Sequence, residues 1–269
     1  MAFASRDQIR QAITAGRVQR WHFMKVGGAT SEIPDAEGSW VSYYLAVGTP
    51  GAAVAPTTYA NLTNFSGSMN NTNVSPGNRY LSDVVVCANV TGTLMVYDRL
   101  GHIGAIDITT VASDTISSSA LPRSMGTNDL NNVEAWLEVT TATNGAVTMS
   151  MNSYTNQAGT AARAGGSITI PTGANIGYMA KFPLQAGDKA VQSIQTTSVS
   201  VEAATTGIIN VVLLRPLAHI PIANANVATT MEIMQLPRVY DGSSLFFAWL
   251  ATATNGVNLW GELTMVYDA

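Results

Sequence analysis

The feature that most constrains this chain is that it repeats itself. Motifs in the first half return in the same order in the second. Leu100-Gly101-His102-Ile103 reappears as Leu217-Ala218-His219-Ile220, and Leu121-Pro122-Arg123 as Leu236-Pro237-Arg238. Ala135-Trp136-Leu137 reappears as Ala248-Trp249-Leu250, and Thr141-Ala142-Thr143-Asn144-Gly145 as Thr252-Ala253-Thr254-Asn255-Gly256. The separations fall along the series from 117 to 115, 113 and 111 residues. Steps of two suit duplicated β-strands, because side chains alternate between faces and a one-residue slip would turn every side chain over. Pro76-Gly77-Asn78-Arg79 and Ala186-Gly187-Asp188-Lys189 extend the repeat upstream.

The local pattern agrees with strands. Ser39 to Val47, Leu81 to Val90, Thr93 to Tyr97, Val133 to Thr141, Ala146 to Met151, Ile194 to Val201, Ile208 to Leu214, Leu245 to Thr252 and Leu259 to Tyr267 are short runs rich in Val, Ile, Thr and aromatic residues. Each is bounded by Gly, Asn, Asp, Ser or Pro. Strands without intervening long helices predict sandwiches or barrels rather than a parallel α/β sheet. Asn144-Gly145 and Asn255-Gly256 each predict a type I′ hairpin. Trp136 and Trp249, on the preceding strands, are expected to fill the space between two sheets.

The one helical pattern is at the amino terminus. Ser5 with Gln8 makes a capping box, Ile9 and Ile13 lie one turn apart, and Gly16 provides a stop. A free helix of about three turns is marginal in water, so this one needs a surface to dock on. Of 13 Lys and Arg residues, Arg6, Arg10, Arg17, Arg20 and Lys25 fall in the first 25 positions, where Asp7 is the only acid. The expected fold is therefore all-β, with two tandem jelly-roll-like β-sandwich domains related by duplication and a short helical arm. Its expected divisions are 1–20 for the arm, 21–157 for the first sandwich and 158–269 for the second.

Few signs of chemistry appear. Charged residues make up 11% of the 269, against roughly 25% in ordinary soluble domains, so the surface is expected to be polar but uncharged and covered by neighbours. A net charge of -4 supplies no field for nucleic acid or an anionic membrane. No apolar stretch approaches the roughly 20 residues of a membrane span. Cys87 is the single cysteine and lies in the apolar run Val84 to Ala88, so it reads as buried and inert.

His22, His102 and His219 are the only histidines, and no spacing of a zinc site occurs. His102 and His219 occupy equivalent places and read as packed scaffold residues. Glu134 and Glu138 share one strand face, but their counterparts are Phe247 and Ala251, so both read as solvent-facing residues of one copy. No nucleophile elbow or phosphate loop is present. The chain is therefore read as non-enzymatic, with no cofactor and no metal.

Several stretches carry a family resemblance: Tyr97-Asp98-Arg99-Leu100-Gly101-His102, Leu121-Pro122-Arg123, Ala135 to Thr143, Ser153 to Thr160, Gln185-Ala186-Gly187-Asp188 and Pro216 to Ile222. Together they resemble β-rich virion structural proteins of tailed bacteriophages, over roughly residues 76 to 269. The resemblance implies a capsid cement or decoration protein that is made in the host cytoplasm, resides in the virion and bridges neighbouring capsomers. Its partners would be the major capsid protein or other virion proteins, and itself as a homo-oligomer such as a trimer. Nucleic acid and membrane are not expected partners. The residues singled out for partner binding are those of the arm: Arg6, Ile9, Arg10, Ile13, Arg17 and Arg20. Two alternatives stand beside this reading. One is a double jelly-roll shell protein. The other is a carbohydrate-binding adhesin or head fibre that stacks sugars on Trp40, Tyr43 and Tyr44.

Overall fold

The computed structural model describes residues 3, 5–28, 34, 36–52, 59–62, 65, 67–70, 77–115, 121, 132–202 and 204–268. Pro76, Pro122 and Arg123 of the repeat lie outside these residues. The first elements are α1 (Arg6–Thr14), β1 (Val18–Val26), β2 (Trp40–Ser42), β3 (Val47–Thr49), β4 (Ala60–Asn61) and β5 (Met69–Asn70). There follow β6 (Arg79–Ala88), β7 (Gly92–Asp107), β8 (Ser113–Thr115), β9 (Glu134–Thr141), β10 (Val147–Asn156), β11 (Ser167–Ile170) and β12 (Tyr178–Lys181). The chain closes with β13 (Val191–Glu202), β14 (Ile208–Ile222), β15 (Thr229–Glu232), β16 (Arg238–Val239), β17 (Ser244–Ala251) and β18 (Asn258–Tyr267). Among the described residues the molecule is nearly all β apart from the amino-terminal helix, as the strand pattern predicts.

Two long strands organise everything else. β7 has 16 residues and β14 has 15, and they run antiparallel along their whole lengths. Around them the order β7, β14, β9, β12, β2, β17 returns to β7 and closes a six-stranded barrel. A second sheet, β15-β6-β18-β1-β3, packs on one flank. Its core joins Leu94 and Val96 of β7, Ile220 and Ile222 of β14 and Trp249 of β17 to Val84, Val86, Leu259 and Leu263. A third sheet, β11-β10-β13-β8, packs on the other flank. There Leu100 and Ile106 of β7, Val211 and Leu213 of β14 and Leu137 of β9 meet Met149, Met151, Ile194 and Val199. Each long strand thus serves both sandwiches, one with each end.

The repeats interlock. β9 belongs to the first copy but pairs with β14 of the second, while its counterpart β17 pairs with β7 of the first. Likewise β10 pairs with β13, and β18 with β6. A cut at 157/158 would therefore separate strands that are hydrogen-bonded to each other. Both long strands bulge at equivalent leucines: Leu100 is skipped between Arg99↔Leu214 and Gly101↔Leu213, and Leu217 between Tyr97↔Pro216 and Val96↔Ala218.

Pairing also corrects two local expectations. Neither Asn-Gly closes a hairpin, because β9 and β10, like β17 and β18, lie in different sheets. None of Asn144, Gly145, Asn255 and Gly256 has the positive φ that a type I′ turn demands. Each connection instead crosses from one layer to another. Asn144 stabilises its crossing by accepting from Thr205 N (2.8 Å) and Thr206 N (3.2 Å) and donating to Thr205 Oγ1 (2.7 Å).

The Ala-Trp-Leu match is one residue out of step with the pairing. Tyr97 and Leu214, 117 apart like the two histidines, face Phe246 and Glu134 respectively. Glu134 therefore corresponds to Phe246, and Trp136 to Ala248. Trp249 packs between the barrel and the β15-β6-β18-β1-β3 sheet, filling the space between two sheets as expected, whereas Trp136 faces the barrel interior. A one-residue slip has turned the matched side chains over.

Candidate functional site

Among the described residues, ionisable and aromatic side chains converge from many strands in the barrel interior. Its middle is filled by Tyr97, Met179, Val212, Leu214, Phe246 and Ala248. The equivalence of β7 with β14 relates its two ends, so His102 and His219 stand at opposite mouths.

The His102 end is sealed. Glu138, expected in solvent, is fully buried, and the Arg99 guanidinium grips it with Nη1 to Oε1 at 3.0 Å and Nη2 to Oε2 at 2.6 Å. Asn210 Nδ2 donates to Glu138 Oε2 at 2.8 Å, and the Ser42 hydroxyl donates to Oε1. A carboxylate placed in a barrel survives because four donors replace its water. Burial alone would raise the Glu138 pKa, but the Arg99 charge and hydrogen bonds, with His102 and Ser42, outweigh it and hold the carboxyl at about 2. Burial, reinforced by Arg99, pushes the His102 imidazole down to about 3. His102 Nδ1 lies 3.0 Å from Arg99 Nη2, which can only donate, so the neutral ring carries its proton on Nε2. The Tyr44 ring lies over the Arg99 guanidinium at 3.7 Å and closes the end with Phe65 and Phe246. Such a cluster holds strands together and gives no substrate a way in.

The His219 end is open. His219 is expected to be packed, but it is exposed, in the copy that has Pro216 where the other has Arg99. The mouth, an open depression of about 520 Å³, is bordered by Trp40, Trp136, Tyr97, Glu134, Lys181 and His219. Glu134 Oε1 accepts from Lys181 Nζ at 2.5 Å, while Oε2 accepts from Trp136 Nε1 at 2.9 Å and the Tyr97 hydroxyl at 3.4 Å. Burial and the nearby Glu134 raise the Tyr97 pKa, so its hydroxyl stays a donor. The Trp40 and Trp136 rings meet edge to face, with centroids 5.6 Å apart. Of the three aromatic residues singled out from the sequence for sugar stacking, only Trp40 reaches this mouth; Tyr43 and Tyr44 are fully buried. The mouth draws on β2, β7, β9, β12 and β14, so no local motif could announce it.

The arm is the second accessible feature. Ser5 caps α1 by accepting from Gln8 N at 3.4 Å. Gly16, at φ +72°, ends it with a paired closure, Gly16 N to Ile13 O and Arg17 N to Ala12 O. Ala12 is buried against the body, and Arg6 reaches Glu232 at 3.5 Å. Ile9 faces a cleft shared with Ile233 and Leu236. Arg10 pairs only loosely with Asp7, at 3.8 Å, and Ile13 is 40% exposed. Arg17 and Arg20 fall outside the helix. Arg17 O accepts from Tyr267 N, and Arg20, on β1, pairs with Glu262 at 3.4 Å. Among the described residues no group of His, Cys, Asp and Glu is arranged to hold a metal ion, and Cys87 is buried.

No protein-family model matches the chain, and no curated protein matches it. Solved structures give faint likenesses. One is of infectious bursal disease virus, Gx strain, at 10% identity and TM-score 0.21 over 93% of this chain and 82% of that one. Another is the infectious bursal disease virus VP2 subviral particle, at 9% identity and TM-score 0.22 over 94% and 81%. A third is the Human Polyomavirus 7 VP1 pentamer, at 11% identity and TM-score 0.15 over 94% and 96%. Superpositions at these scores carry no inference, and the functional reading rests on the residues of the chain itself.

Proposed function

We propose that this protein is a non-enzymatic structural component of a virus particle, a cement or decoration protein that strengthens contacts between capsomers. Its partners in this reading are the major capsid protein and further copies of itself, and its place is the virion. The observation that carries the reading is the arm. α1 is tethered to the body through Ala12 and Arg6 and leaves Arg10 and the part-exposed Ile13 along the open cleft between helix and body, a mixed apolar and cationic groove edge suited to a neighbour's surface. The low charge content and the strands interlocked across both copies fit a part that stays locked in an assembly. The barrel's acid–base cluster is walled off from solvent, which removes the best-equipped candidate for catalysis.

Deleting residues 1–14, short of β1, tests the proposal. The truncated chain should keep the circular dichroism of the full chain and lose incorporation into particles. Incorporation at the full-length level would contradict the anchoring role. Closure of the purified chain into shells without other proteins would replace the cement reading with that of a shell protein.

A further inference from the structure

The geometry points to the open end of the barrel as a binding site for a neutral carbohydrate. Three observations converge on it. First, the two ends of the barrel are equivalent by duplication, and the His102 end is plugged by the chain's own Tyr44 ring. Among the described residues nothing plugs the His219 end, which is left as an open depression of about 520 Å³, and barrel mouths are a favoured place for small-molecule sites.

Second, the walls are aromatic. The half-buried Trp40 indole stands against Trp136, with the Tyr97 phenol beneath. Trp136 is itself buried and backs the Trp40 indole, whose flat apolar face is the one on which the C–H face of a pyranose can lie. Third, the polar groups are paired and neutral in sum. Glu134 is fixed by Lys181, Trp136 and Tyr97, so its carboxylate is oriented before any ligand arrives. A phosphate or carboxylate ligand would meet Glu134 as a like charge, and a cation would meet Lys181. Adjacent hydroxyls of an uncharged sugar can instead donate to the carboxylate and accept from the ammonium, with the exposed His219 offering a further contact at the rim. The inference stands apart from the assembly reading, and neither depends on the other.

The experiment titrates the full-length chain with neutral monosaccharides (glucose, galactose, mannose and N-acetylglucosamine), following tryptophan fluorescence, alongside a glycan array. At least one neutral pyranose should give saturable binding. That binding should weaken by about tenfold or more in Trp40→Ala, in keeping with the loss of one stacking partner, and in Lys181→Ala and His219→Ala, whose exposed positions leave the fold intact. Trp260→Ala, at an exposed indole on another sheet, should bind as the parent does. Absence of binding to every neutral glycan would overturn the inference, as would binding that survives all three mouth variants. A drop in oligomeric mass on Trp40→Ala, without glycan binding, would assign the mouth to a neighbouring chain and overturn it too.

Discussion

Asp98 and Arg215 face each other across the β7–β14 ladder, 117 residues apart in sequence and 3.2 Å apart between Oδ2 and Nη2. That sequence separation matches the repeat at this point, so the pair marks where the two copies meet and is its own counterpart. Both side chains are buried, and the carboxylate also accepts from Ser243 Oγ at 2.8 Å and Ser244 N at 3.0 Å. Removing one partner of a buried pair leaves an uncompensated charge, whereas replacing both with apolar residues does not. Asp98→Ala or Arg215→Ala should each cost about 3–5 kcal/mol in denaturant unfolding. The double variant Asp98→Leu/Arg215→Met should cost less than either single change.

Interlocking predicts how the chain divides. Residues 1–157 carry β9 and β10 without their partners β14 and β13, and residues 158–269 carry β17 and β18 without β7 and β6. Neither piece alone should show a cooperative unfolding transition, because each leaves unpaired strand edges and half of each core. Mixing the two during refolding should restore one. A sharp transition in either isolated piece would contradict the interlock.

The sealed end of the barrel makes the fold sensitive to acid. An unfolded chain takes up a proton at its histidine near pH 6.5 that His102 resists down to about pH 3, so stability declines as pH falls through that window. Glu138 has a depressed pKa. Its contribution is fully present above the ordinary value of 4.5 and is lost as pH falls towards about 2. Each proton contributes a slope of at most about 1.4 kcal/mol per pH unit. Urea midpoints measured from pH 7 to pH 3 should fall accordingly. His102→Asn should flatten the part of that fall between pH 6.5 and 4.5, where the Glu138 contribution is complete. Glu138→Gln, which strands the Arg99 charge, should cost about 3–5 kcal/mol at pH 7.

The crossings that carry Asn-Gly offer a contrast. Asn144→Ala removes the hydrogen bonds to Thr205 and Thr206 and should cost about 1–2 kcal/mol in thermal or denaturant melts. Asn255 is exposed and makes no side-chain hydrogen bond among the described residues, so Asn255→Ala should stay within about 0.5 kcal/mol of the parent.

The strands, the capped helix and the buried Cys87 were legible because each depends on neighbours close in sequence, and the duplication because its motifs recur in the same order. The features that were not legible depend on register. Glu138 reads as a surface acid until Arg99, 39 residues away, and Asn210, 72 residues away, arrive from other strands to bond it. Trp136 and Trp249 look like one repeated position, yet pairing sets them a residue out of step. Asn144-Gly145 has the letters of a tight hairpin, but the strands it joins enter different layers. His102 and His219 share a motif but differ in fate: His102 is buried against Arg99, while His219, with Pro216 at the equivalent place, is exposed.

In the proposed reading this chain is a building part of a virus particle. Particles purified from cells that make the protein, with its copy number counted against the major capsid protein by quantitative mass spectrometry, test it most directly. The account predicts a fixed ratio of small whole numbers that persists through density-gradient purification. Particles that lack the chain, from cells in which it accumulates, would contradict the claim.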